Sequence, residues 1–376
     1  MRIAIIPSWY HSPLAPARGS FIKAQAEGLQ ARGHDVLVLA TDRDSDRKLL
    51  SLAESNENGV RCIRISVPAP WHRLLGFYVP RVLASIIKRE IMKFCPDIVH
   101  AHAARPAGTI VFHALKRSCI PYVLTEHSGP LENFWWTFHG KRQIALAYQN
   151  ASRLFAVSDF LRLAMIAQFG NIALETSVLF NGLDTDLFIP RRSPPMRGSL
   201  LFVGSLEKEK GLHILLNSLC SMPDKLPWKL TVVGQGRQER NLRNLAFQLG
   251  ISEKIVWSGA KMYHDMPNIY ASHDFVVVPS LHETFSMVCA EALASARPVI
   301  AAMCGGPEEI VPAYGGGLIP ANNVKALAEC LAEALNGSMH FESERAALHI
   351  KEKFSMEVLI SKLESVYSSL ISSGDS

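Results

Sequence analysis

The sequence predicts an α/β protein of two domains, each a doubly wound, mostly parallel sheet. Three observations lead there. Short apolar, β-branched runs alternate with helical patterns along most of the chain, as in successive βαβ units. The periodicity stops around 189–199, where Ile189–Gly198 carries three prolines and no apolar spacing, as an interdomain linker would. The chain has 376 residues, nearly half of them hydrophobic, enough for two cores.

Taken in order, strands are expected at Arg2–Pro7, Asp35–Ala40, Val60–Val67, Asp97–Ala101, Pro121–Glu126, Arg153–Val157 and Ser177–Phe180, all apolar runs of four to eight residues. Helical patterns fall between several of them, near 20–32, 80–94, 105–118, 138–150 and 159–168. Gly33 stands where a helix C′ residue should, and Ser158–Asp159 supply a helix start. After the linker a second series begins, with strands at Leu200–Val203, Lys229–Val233, Lys254–Trp257, Phe275–Val278, Pro298–Ala302 and Gly317–Ile319. Its helical patterns lie near 211–221, 237–249, 264–272, 287–296, 323–335 and 341–352. The last segment, Met356–Ile371, is amphipathic and precedes a polar tail, Ser372–Ser376.

Composition narrows the function classes. The seven cysteines are scattered without a C-x-x-C pair, which argues for reduced thiols in a cytosolic protein, not a disulfide framework or a zinc site. Ile3–Ile6 is too short for a signal peptide and Pro7 ends it. No stretch approaches the roughly 20 apolar residues that span a bilayer. Charge is uneven: residues 1–190 hold 21 Lys+Arg against 15 Asp+Glu, and residues 191–376 hold 18 against 19. Anionic partners should therefore meet the N-terminal half. Two aromatic–basic segments there, 71–93 and 134–142, suit the interface of an anionic membrane and suit equally an ordinary helix with a solvated basic side.

The most informative stretch is Glu283–Thr284–Phe285–Ser286–Met287–Val288–Cys289–Ala290–Glu291, with two carboxylates eight residues apart. An apolar strand precedes it, a small-residue helix contains Glu291, and a further strand comes after, ending at Gly305–Gly306. In such a unit ligands bind beyond the carboxyl ends of the strands, and a helix N-terminus offers unpaired N–H groups to a phosphate. A carboxylate on each side could accept hydrogen bonds from sugar hydroxyls. The segment from Pro279 to Val311 resembles the E-x7-E region of retaining glycosyltransferases of the GT-B fold, most closely glycosyltransferase family 4. The resemblance runs from Gly19 to the last helix.

This resemblance implies two Rossmann-like domains facing across a cleft, with the C-terminal helix crossing back to the first domain. The boundaries expected are 1–189 for an acceptor-binding domain, 190–355 for a nucleotide-sugar-binding domain, and 356–376 for the returning helix and tail. It implies that Glu291 holds the ribose hydroxyls, that Glu283 holds the sugar hydroxyls, and that backbone groups around Phe285, Ser286 and Met287 meet the sugar and β-phosphate. Lys210, just before Gly211, matches the lysine that grips the donor diphosphate, beside Gly204. Ser205 stands where an arginine often does, which leaves that charge to Lys210, backbone amides and helix dipoles. Gly234 of Val233–Gly236 and Gly19, in the turn after the first strand, match donor-side glycines, with Arg18 a candidate to replace the missing charge. His127 matches the histidine near the transferred sugar, so His127, Glu283 and Lys210 are the candidate catalytic residues. His100 and His102 share the H-x-H spacing of a metal pair but lack a third ligand, and read as buried or acceptor-lining. Asn181 opens "NGLDTDLF", an Asn-Gly turn whose Asp184 can cap the next turn, with contact to donor or acceptor open to Asn181.

The function implied is transfer of a sugar, with retention, from a nucleoside-diphosphate sugar to a lipid-linked or saccharide acceptor in bacterial surface-polysaccharide assembly. No cofactor is expected. Metal independence is favoured because Asp42-Arg43-Asp44 and Asp44-Ser45-Asp46 read as a charged loop and not as a D-x-D site. Nucleic acid is not expected as a partner. The location implied is cytoplasmic, at the inner face of the plasma membrane where the basic half meets lipid. A nucleotide-sugar epimerase, a sugar phosphorylase and an inactive partner in an assembly complex are the alternatives that this fold leaves open.

Overall fold

The computed structural model describes residues 1–12, 18–44, 50–68, 79–129, 131, 138–190, 198–223 and 226–374. Most of the linker, residues 13–17, residues 69–78 and residues 132–137 therefore lie outside the described residues, and with them Trp71, Phe77, Tyr78, Phe134, Trp135 and Trp136 of the aromatic–basic segments. The chain divides into two compact units, Met1–Gly182 with Met356–Ser376, and Leu183–Ser355.

The first unit is built on eight strands: β1 (Arg2–Pro7), β2 (Asp35–Asp44), β3 (Ser51–Glu57), β4 (Val60–Pro68), β5 (Ile98–His102), β6 (Tyr122–Glu126), β7 (Arg153–Ala156) and β8 (Ser177–Val178). Their order in the sheet is β3-β4-β2-β1-β5-β6-β7-β8, so strand order reverses between β1 and β5. Every neighbouring pair is parallel except β3 with β4. Ser158 caps the helix Asp159–Phe169 by accepting from the Leu161 N–H, and Gly33 takes the left-handed conformation after the helix Ser20–Ala31.

Two local expectations need correction. Strand β3 is an addition to the expected strands, because its residues from Leu52 to Glu57 carry little apolar character and are mostly exposed. Its signal was Asn58–Gly59, both at positive φ, which close a two-residue hairpin of the kind that favours this dipeptide. The residues Asp42–Asp44, expected in a loop, continue β2, because β4 runs on to Pro68 and supplies them with partners.

The second unit holds six parallel strands: β9 (Ser199–Val203), β10 (Lys229–Val233), β11 (Ile255–Gly259), β12 (Phe275–Val278), β13 (Val299–Met303) and β14 (Gly316–Pro320). Their order is β11-β10-β9-β12-β13-β14, and the reversal falls between β9 and β12. The loops that leave these two strands carry Lys210 and Glu283. A short helix, Pro307–Ile310, adds to the expected set.

The helix Met356–Gly374 belongs to the first unit. Its Leu359, Ile360, Leu363 and Tyr367 are buried in one cluster with Ile3 and Ile5 of β1, Val36 and Val38 of β2, and Ile22, Ala26 and Leu29 of the helix Ser20–Ala31. Gly28 lets the two helices approach closely, since a Cβ there would lie 3.3 Å from Ile360 and Met356 side-chain atoms. Glu364 accepts from Arg32 at 2.9 Å and meets His34 at 3.0 Å. If this helix completes the first core, Leu363→Ala should cost about 2–5 kcal/mol in urea unfolding, while Arg32→Ala at the exposed rim leaves stability nearly unchanged. Equal, small effects would show the helix to be only loosely attached.

Candidate active site

In the second unit the site begins with backbone stitching. Leu281 N–H donates to Glu209 O at 2.8 Å, and a Cβ on Gly211 would collide with Pro279 O. The loop after β9 and the loop after β12 therefore lie against each other. That places Lys210 Nζ 2.7 Å from Glu283 Oε1, with Ser280 Oγ donating to the same oxygen at 2.8 Å. Burial acts to lower the Lys210 pKa, but the charge and hydrogen bond of Glu283 outweigh it, and the net direction is upward. The trailing glycines have a mechanical reason as well. Gly306 N–H donates to Glu283 O at 2.8 Å, and any Cβ on Gly306 would strike the Phe285 backbone.

Phe285 itself is buried, its ring edge-on to Phe354. Ser286 enters the helix Met287–Ala294 at φ 81°, and its hydroxyl donates to Cys289 Sγ at 3.2 Å. The first N–H groups of that helix have no partner within it, as at any helix start. Glu291 lies in the same helix, 8% exposed, and Tyr270 OH donates to its Oε2 at 2.7 Å. Burial raises its pKa to about 7, the Tyr270 hydrogen bond acting in the opposite sense. Tyr270 is fully buried and packs edgewise on Phe188, the last residue of the "NGLDTDLF" motif. Asp184 caps that turn, accepting from the N–H groups of Asp186 and Leu187.

Gly204 and Gly234 prove to be a pair. A Cβ on Gly234 would collide with Gly204 O, so the expected glycine signal reports one backbone crossing close beside another. Ser205 is exposed. The guanidinium of Arg237, which no motif marks, reaches Glu207 at 3.2 Å beside this crossing.

The first unit gathers the other candidates at the carboxyl ends of β5 and β6. His100 and His102 point to one face of β5, with stacked rings 4.2 Å apart. His102 Nδ1 lies 2.9 Å from His127 Nε2. His100 Nε2 lies 2.8 Å from Thr125 Oγ1 and its Nδ1 2.6 Å from Tyr367 OH. Gln25 Nε2 approaches His100 Nδ1 at 3.3 Å and His102 Nε2 at 3.5 Å. Burial lowers all three histidines, His100 and His127 to about 3 and His102 well below its ordinary value. A hydrogen bond from the ring to Asn181 acts in the opposite sense on His127. His100 and His102 are fully buried, one of the two readings their spacing left open, and His102 touches His127. Glu126, buried and also not foreseen, accepts from the N–H groups of Ala104, His127 and Ser128 and from Tyr148 OH, and so fixes the loop that carries His127. Gly19 has φ 71°, and a Cβ there would crowd Trp9 O at 2.7 Å; Arg18 beside it is exposed.

Glu291 offers a test of whether this site is held at the expense of stability. A carboxyl raised from 4.5 to about 7 keeps in the folded state a proton that the unfolded chain has released. Stability therefore falls as pH rises from about 4.5 through about 7, and above that window the ionised group costs on the order of 3 kcal/mol. Glu291→Gln should raise Tm at pH 8, with the advantage fading toward pH 4.5. A lower Tm at pH 8 would mean that the charge is there for the fold.

Comparison with known proteins bears on the family and the fold. The model of the family described as Glycosyltransferase Family 4 matches residues 19–187, and that described as Glycosyl transferases group 1 matches residues 186–352. An uncharacterized glycosyltransferase of Methanocaldococcus jannaschii is 25% identical over 98% of this chain and 98% of its own. A GDP-mannose-dependent alpha-mannosyltransferase of Mycobacterium tuberculosis is 29% identical over 85% of this chain and 83% of its own. The sucrose-phosphate synthase of Thermosynechococcus elongatus shares the fold, with a TM-score of 0.83 at 19% identity, covering 99% of this chain and 100% of that one. With two family models meeting end to end and both sheets wound as the fold requires, the chain belongs to the GT-B glycosyltransferases of family 4.

Proposed function

We propose that the protein transfers a sugar from a nucleoside-diphosphate sugar to a saccharide or lipid-linked acceptor, with retention of configuration and without a metal ion. The observation that carries this is the Lys210–Glu283–Ser280 cluster beside the N-terminus of the helix Met287–Ala294, with Glu291 further along the same helix. In this reading Glu291, ionised above about pH 7, accepts from the ribose hydroxyls. The diphosphate takes Lys210 and the first N–H groups of the helix, both of which favour negative charge. Glu283 then turns its carboxylate to the sugar hydroxyls.

Departure of the diphosphate is the step such a site accelerates, because fixed donors stabilise the charge that develops on it. The acceptor hydroxyl attacks the oxocarbenium-like sugar from the face the diphosphate leaves and gives its proton to the departing phosphate oxygen, so neither carboxylate becomes a covalent nucleophile. His127, neutral at physiological pH, serves the transferred sugar as a hydrogen-bonding group. The mannosyltransferase relative, named for GDP-mannose, supports the donor class. The basic excess of residues 1–190 supports an anionic, lipid-linked acceptor as in surface-polysaccharide assembly, with the protein working at the inner face of the plasma membrane. No described helix is long and apolar enough to cross a membrane.

A panel of nucleotide sugars read by thermal shift identifies the donor, since a ligand at 100 times its Kd stabilises by roughly 2.7 kcal/mol. NMR of the product then gives the anomeric configuration; inversion would overturn the mechanism. Lys210→Ala should lower kcat by about 10²–10³. Excess EDTA should leave the wild-type rate unchanged, and loss on chelation with rescue by Mg²⁺ would contradict metal independence.

A further inference from the structure

Phe188, the last residue of "NGLDTDLF", lies edgewise against two tyrosines of the second unit. Its ring centroid is 5.4 Å from that of Tyr263 and 5.9 Å from that of Tyr270, at interplanar angles of 68° and 63°. The turn capped by Asp184 holds it there, with Phe188 N–H donating to Asp184 O at 3.2 Å. Edge contacts of this kind restrict the tilt of a ring. Tyr270 is fully buried, and its hydroxyl has Glu291 Oε2 as acceptor at 2.7 Å. The two come from different helices, Met266–Ala271 and Met287–Ala294.

The Glu291 carboxylate is left half satisfied. Oε2 takes the phenol, and Oε1 has no hydrogen-bond partner among the described residues. An ionised carboxylate can accept about four hydrogen bonds. Its last torsion is soft and two-fold, so a glutamate without a fixed partner would exchange its oxygens freely. The phenol removes that freedom by holding one of them. It also has a single proton to give, whereas a guanidinium in its place would pair with both oxygens at once.

We infer that Tyr270, held by Phe188, is a positioning residue for the nucleotide: it fixes the Glu291 carboxylate so that Oε1 is the oxygen offered to the ribose hydroxyls. This rests on the reading that Glu291 meets the ribose; the bond from Tyr270 to Glu291 does not. The same phenol opposes burial in keeping the carboxyl ionised. The phenylalanine that ends the "NGLDTDLF" motif thereby gains a part in donor binding without touching the donor.

The test titrates full-length protein calorimetrically at pH 8 with UDP, GDP and ADP, then compares the tightest binder with its 2′-deoxy and 3′-deoxy counterparts. In wild type, loss of at least one of these hydroxyls should weaken binding roughly tenfold. Tyr270→Phe keeps the ring that packs on Phe188 and removes only the hydroxyl. It should weaken the ribonucleotide roughly tenfold and hardly affect the deoxy counterpart that wild type binds poorly. With the nucleotide sugar it should raise KM by more than it lowers kcat. Phe188→Leu should give a smaller loss with the same preference. Losses equal for the ribonucleotide and its deoxy counterparts, or no loss in either variant, overturn the inference and leave Tyr270 a packing residue. A fall in kcat without a rise in KM overturns it as well, since the hydroxyl would then act on the reacting bonds. If Glu291→Ala still discriminates the nucleotides as wild type does, the ribose contact of Glu291 itself fails, and the positioning role falls with it although the Tyr270–Glu291 bond stands.

Discussion

A lysine taken partly out of water needs an anion beside it, and the 2.7 Å contact of Lys210 with Glu283 is where the second unit meets that need. Much of the unit's local architecture follows from bringing the two together. Gly211 gives up its Cβ so that the loop after β9 can lie on Pro279, and Leu281 ties the same loops through the Glu209 carbonyl. Gly306 gives up its own so that the Glu283 segment can rest on the turn after β13. In the proposed reaction Lys210 is a cation kept charged by a partner it can exchange: an incoming diphosphate takes the ammonium, and the released carboxylate is left facing the sugar.

The other polar groups of the candidate site are also held away from water, each in a chemically different way. Glu291 accepts from the Tyr270 hydroxyl, and burial pushes its pKa up into the physiological range. His100, His102 and His127 are kept neutral by burial and joined ring to ring. Glu126 lies buried under three backbone N–H groups and a phenol, its acceptor capacity taken up by the loop that positions His127. A set of this kind is specific because each member has few alternatives: an unmade hydrogen bond in such surroundings costs more than the same bond contributes when made.

Much of this was legible in the sequence wherever the signal was local. The parallel strands are apolar β-branched runs, and the two carboxylates stand in a strand–loop–helix–strand unit whose glycines mark close backbone approach. Strand β3 escaped because it is polar and exposed, although Asn58–Gly59 announced its hairpin. The partners that give the site residues their chemistry were not legible. Tyr270 lies 21 positions from Glu291, and Tyr367 lies 267 from His100; no spacing rule joins them before the fold does. The same holds for His100 and His102, whose alternation on β5 correctly gave one shared face, while their complete burial came from the last helix packing over them.

The partner exchange at Lys210 is tested most directly by calorimetric titration of the free nucleoside diphosphate into wild type and Glu283→Gln, alongside turnover with the full nucleotide sugar. If Lys210 passes from Glu283 to the diphosphate, removing the carboxylate's charge leaves the ammonium in need of an anion. The diphosphate should then bind as tightly as before or several-fold more tightly, while turnover collapses for want of the sugar contact. If diphosphate affinity falls in step with turnover, the pair is a fixed structural bridge, and Lys210 does not change partners when the donor binds.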